Sequence, residues 1–76
     1  MTKDEQMSEF MFLGLRTMAG ISYQEFEKRF CIPCKDRYGD VIDKFIRTGF
    51  LEEQNGTLRL TERGIDVSNR IFVEFL

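Results

Sequence analysis

The stretch from Phe50 to Ile65, FLEEQNGTLRLTERGI, leaves the chain little choice of local structure. Asn-Gly between two short runs favours a two-residue type I′ turn, which needs positive φ at both positions. That loop length sets the strand register. Gln54 falls opposite Thr57, Glu53 opposite Leu58, Glu52 opposite Arg59 and Leu51 opposite Leu60. Leu51, Leu58 and Leu60 then share one face, while Glu52 and Arg59 form an exposed cross-strand charge pair. A lone hairpin is marginal in water, so the leucine face is expected to lie over helices. Thr61 caps a last helix, with Ile65, Ser68, Phe72 and Phe75 or Leu76 as its apolar stripe. Gly64 in its first turn reads as a weak point, tolerable near an end.

Upstream the period changes to that of helices. Thr2 and Glu5 make a Thr-x-x-Glu capping box, so a first helix is expected from about Lys3. Met7, Phe10, Met11, Leu15 and Met18 recur at helical spacing, and Gly20 is the natural stop. Ser22 caps a second helix, with Glu25 placed to bond back and Ile21 and Phe26 placed as a hydrophobic staple. Pro33 requires that helix to end near Phe30. The third, KDRYGDVIDKFIRTG, aligns Tyr38, Val41, Ile42, Phe45 and Ile46, with Gly49 as a left-handed cap. The whole is a mostly helical α+β fold: one winged-helix-like domain over residues 1–76. It has a three-helix core, a two-stranded wing and a C-terminal helix.

Wings and third helices often meet DNA, but the charge opposes this here. The chain carries 11 basic and 13 acidic residues, a net charge of −2. Duplex binding draws on a cationic surplus that displaces counterions. Arg37, Lys44 and Arg47 on helix three are interleaved with Asp36, Asp40 and Asp43, and the wing tip is acidic. No nucleic-acid partner is expected. No apolar run is long enough to span a membrane, and the polar, acidic start is unlike a signal peptide. A cytoplasmic setting is the default expectation.

Catalysis in this chain is not expected, nor a cofactor or metal site. Histidine is absent, so the side chain that titrates near neutrality is missing. No glycine-rich phosphate loop follows a strand. Cys31-Ile-Pro-Cys34 has Cys-x-x-Cys spacing, but a zinc site needs two more ligands and a thioredoxin-like pair needs a βαβ context. Two small inter-helix residues are the simpler reading.

The first helix is anomalous. FMFLGLR is apolar nearly all round, with Gly14 at its middle. A helix hydrophobic on every side asks to be covered on every side. Interior glycine costs about 1 kcal/mol relative to alanine and is usual where another backbone comes close. Either helix one lies centrally between the last helix and the hairpin, or Phe10, Phe12, Leu13, Gly14 and Arg16 form an interdomain contact.

EFMFLGLR, GISYQEFEKRF and YGDVIDKFIRTGFLEEQNGTLRLTERGIDVSNRIFVEFL cover nearly all of the chain from Glu9 to Leu76. They resemble the C-terminal domain of the oxygen-independent coproporphyrinogen III oxidase family, which includes a closely similar heme chaperone. The resemblance implies a larger radical S-adenosylmethionine protein. Its N-terminal barrel would hold a four-iron, four-sulfur cluster (4Fe-4S) through Cys-x-x-x-Cys-x-x-Cys and bind S-adenosylmethionine. The oxidase converts two propionates of coproporphyrinogen III to vinyl groups. Cys31 and Cys34 are not the cluster motif and depart from the family pattern. The implied role is a non-catalytic lobe, cut from an oxidoreductase or a heme chaperone, that packs on the barrel and helps shape a tetrapyrrole site. Arg16 would then meet a carboxylate of the barrel or a propionate. Alternatives are a stand-alone DNA-binding regulator and a protein-interaction module unrelated to heme.

Overall fold

The computed structural model describes residues 2–76. The element order is α1 (Lys3–Leu15), β1 (Ile21–Ser22), α2 (Tyr23–Phe30), α3 (Cys34–Arg47), β2 (Leu51–Gln54), β3 (Thr57–Leu60), α4 (Glu62–Asp66) and α5 (Ser68–Val73). This is the mostly helical α+β class expected from the sequence, with a further strand, β1, and the C-terminal helix in two parts.

The capping box of α1 forms in both directions: the Glu5 amide donates to Thr2 Oγ1 at 3.1 Å and the Thr2 amide to Glu5 Oε1 at 3.3 Å. Met7, Met11 and Leu15 are buried along one face. Ser8 joins them, because its hydroxyl donates to the Phe75 carbonyl at 2.7 Å and lies 3.2 Å from the Tyr38 hydroxyl. The helix ends at Leu15, short of Gly20. Both the amide and the hydroxyl of Thr17 turn back to the Gly14 carbonyl, at 3.1 and 2.8 Å. Met18 therefore leaves the helix and is 93% exposed, against its expected place on the apolar stripe.

The sheet has three strands in the order β1-β3-β2, not two. Ile21 pairs with Leu58 and Ser22 with Thr57. A two-residue strand carries no period, so its pairing is set by distant backbone and is silent in the local sequence. Ser22 also caps α2, accepting from the Glu25 amide at 3.2 Å. The reciprocal bond from Glu25 is not formed among the described residues. Ile21 and Phe26 both enter the core, as the staple requires.

Cys31 closes α2 in the left-handed region at φ 64°. The end of α3 is a Schellman motif: Gly49, at φ 85°, donates to Ile46 at 3.2 Å and Phe50 to Phe45 at 2.8 Å. The accompanying apolar contact is an edge-to-face pair of Phe45 and Phe50, with centroids 6.2 Å apart. The hairpin has the expected register at all four pairs, and Asn55 and Gly56 both take positive φ. Leu51 and Leu58 are buried.

The C-terminal helix is broken at Val67, whose φ and ψ of −123° and 27° separate α4 from α5. The break rotates the apolar face. Ile71, Phe72 and Phe75 are buried, while Ile65 is 60% exposed and Leu76 is also exposed, off the expected stripe. Gly64 is not merely tolerated: a β-carbon there would sit 2.0 Å from the Phe50 carbonyl oxygen. The core closes on a chain of tilted and edge-to-face rings, Phe10, Phe26, Phe30, Tyr38 and Phe75. No described helix is long and apolar enough to cross a membrane.

Candidate functional site

The five positions marked out by the sequence, four on α1 and Arg16 at its C-cap, fall on different surroundings. Phe10 is partly buried between Phe26 and Phe30, with centroid distances of 5.5 and 5.8 Å. Leu13 is half exposed. At Gly14 a β-carbon would meet Ile21 Cγ2 at 2.1 Å. The close approach that requires glycine is thus a β1 side chain of this same chain, not a foreign backbone. Phe12 is partly buried, and the Arg16 guanidinium lies over its ring at 5.6 Å and over Phe72 at 5.4 Å.

These positions are therefore not gathered into one site. Phe10, Leu13 and Gly14 line a groove of about 470 Å³ beside Glu9, Glu25 and Arg29. Arg16 lines another, of about 710 Å³, between the end of α1, the base of the hairpin and α4. Met18, Leu60, Ile65 and Phe72 supply its apolar lining, and Glu52, Arg59, Glu62 and Arg63 its charges. Met18, Arg63 and Ile65 are the residues that sequence reasoning missed. Helical spacing assigns Met18 and Ile65 to the core, and only the Thr17 turn and the Val67 break release them.

Charge in the second groove is unevenly paired. Arg59 Nε lies 2.6 Å from Glu52 Oε1. The Arg63 guanidinium lies over the Phe50 ring, 4.8 Å from its centroid. Neither Arg16 nor Arg63 has a carboxylate within ion-pair distance among the described residues. An arginine with no ion-pair partner keeps its N–H donors for a planar carboxylate.

On α3 the opposite holds. Lys35 pairs with Glu53 at 3.2 Å, Arg37 with Asp4 at 3.9 Å and Lys44 with Glu74 at 3.4 Å. Arg47 Nε donates to the Asp43 carbonyl at 3.4 Å. Glu53 also accepts from the Tyr23 hydroxyl. That bond, with help from Lys35, holds the Glu53 carboxyl below the usual carboxylate range although its slight burial opposes this. Burial, then Glu53, push the Tyr23 hydroxyl upward.

Cys31 is exposed and Cys34 buried, and both are free thiols. Cys34 Sγ lies 3.8 Å from Met11 Sδ. Burial pushes its thiol up to about 12, against a smaller downward pull from Lys35. Such a thiol is a core side chain rather than a nucleophile. With two cysteines in the chain, the three-cysteine cluster motif does not fit these residues. No group of three or more His, Cys, Asp or Glu is placed to hold a metal among the described residues.

A family model described as the HemN C-terminal domain matches residues 1–67. The chain belongs to the HemN C-terminal domain family. The match spans α1 to α4, and so includes Arg16, Arg63 and Ile65. The heme chaperone HemW of Lactococcus lactis subsp. lactis (strain IL1403) is 32% identical over 76 residues, covering 100% of this chain and 20% of the relative. The heme chaperone HemW of Bacillus subtilis (strain 168) is 31% identical over 75 residues, covering 99% of this chain and 20% of the relative. This family member therefore spans about a fifth of the length of the curated relatives it matches. No solved structure matches the chain.

Proposed function

We propose that this domain serves as a non-catalytic C-terminal lobe of a heme-handling protein of the HemN type. It would pack on an N-terminal radical S-adenosylmethionine barrel and help shape a tetrapyrrole site there. The observation that carries this is the match to heme chaperones along the whole chain, over only 20% of their length. A lobe that small in a larger protein needs a face for the remainder, and apolar Met18 and Ile65 lie uncovered by its own core. The relatives' names favour heme delivery over oxidation of coproporphyrinogen III. The iron–sulfur cluster and S-adenosylmethionine belong, on this reading, to the barrel. The cluster would supply the electron for radical chemistry, and no residue of this chain takes part in that step.

A chimera tests the proposal. In the full-length Lactococcus relative, the matching fifth is replaced by this chain. The expected chimera unfolds in one cooperative transition and titrates with heme like its parent, followed by visible absorbance. Two independent transitions, with heme binding unaltered when the lobe is then deleted, would defeat it.

A further inference from the structure

We infer that the groove between the end of α1, the base of the hairpin and α4 is the seat of an acidic, apolar-faced segment from the part of the protein that precedes this lobe. The inference rests on the proposed function and names the face and the chemistry by which the lobe docks.

Two features of the groove point to such an occupant. Two of its apolar side chains stand out from the surface, Met18 at 93% and Ile65 at 60% exposure, above a floor that includes buried Phe72. Protruding side chains of this kind fit depressions on a folded partner, where burial is worth about 25 cal/mol per Å² of apolar surface. The second feature is charge. Arg16 and Arg63 line the groove without carboxylate partners among the described residues, Arg16 over the Phe12 and Phe72 rings and Arg63 over the Phe50 ring. Arg16, Arg59 and Arg63 outnumber Glu52 and Glu62 in the groove, and this surplus beside an apolar surface favours a segment that carries carboxylates next to its apolar residues.

The occupant comes from the same protein because four fifths of each relative's length lies outside the segment that this chain matches. The groove beside Leu13 is the weaker candidate. Leu13 is 50% exposed, and the carboxylates of Glu9 and Glu25 outnumber Arg29 there.

Amide hydrogen exchange on the chimera, made in both the Lactococcus and Bacillus hosts, tests this against the free 76-residue chain. Exchange at residues 15–18 and in α4 should slow about tenfold in the chimera. Arg16→Glu with Ile65→Asp should abolish that slowing, and Leu13→Asp should leave it. Both replaced groove residues are exposed, so the free variants should keep the far-UV circular dichroism of the parent. Slowing confined to the Leu13 face overturns the inference and leaves the proposed function standing. Slowing in the groove only after heme is added makes the occupant a tetrapyrrole and also overturns it. Slowing in the free chain as its concentration rises makes the occupant a second copy and overturns it too. No slowing anywhere in either host removes the proposed function as well.

Discussion

A β-carbon at residue 64 has no room, because the Phe50 carbonyl oxygen already occupies its place. Gly64→Ala should lower the unfolding free energy by about 1–3 kcal/mol, read from the urea midpoint. Ser8→Ala should cost a similar amount, since it leaves the buried Phe75 carbonyl without its 2.7 Å donor. An unsatisfied buried group costs about 1–3 kcal/mol. The two thiols should separate chemically: iodoacetamide should label exposed Cys31 in the native protein and leave Cys34 until denaturant is added. Cys34 also sets an alkaline limit. Its folded value near 12 stands above the ordinary 9.0, so its contribution to stability is full below pH 9.0. It declines as pH rises toward 12, where the unfolded thiol alone ionises. Unfolding free energy should fall through that window, and Cys34→Ala should flatten the slope. Glu53 acts at the other end. Its lowered carboxyl contributes above the ordinary carboxylate range, and that contribution is lost as pH falls through its folded value.

Elements built from neighbours in sequence are legible, and those built from distant partners are not. The type I′ turn fixes its own strand register, and the Thr2, Ser22 and Thr61 caps each bond within three residues. At the end of α3, Gly49→Ala should cost about 1 kcal/mol or more in the same denaturation assay, because alanine resists φ 85°. No local signal announces β1, whose partner Leu58 lies far along the chain. The Val67 break is equally silent, since Ile65, Ser68 and Phe72 fit an unbroken helix until Phe72 and Phe75 find the core. The candidate site suffers most from this. Gly14 stands out in the sequence as a place of close approach, but the group approaching is Ile21, which only β1 pairing brings there. Arg16 is legible as the one charge in the FMFLGLR stretch. Its groove is not, because helical spacing places two of the groove's apolar side chains in the core.

At the scale of the whole molecule, the cations of α3 are mostly engaged within the domain. Lys35, Arg37 and Lys44 of α3 reach carboxylates on β2, on α1 and just past α5. Exposed pairs contribute about 0–1 kcal/mol each, so their main effect is on what the surface offers to other charges. With a net charge of −2, fluorescence anisotropy at low salt should detect no salt-sensitive binding to a mixed-sequence duplex. Strong binding that weakened with salt would revive the regulator alternative. The bond from Ser8 to the Phe75 carbonyl also bears on biosynthesis. Phe75 is fully buried against Tyr38, so α1 completes its packing with a residue 67 positions further along the chain. During synthesis the Ser8 and Tyr38 face of the nascent chain therefore stays uncovered until residue 75 has cleared the ribosomal tunnel.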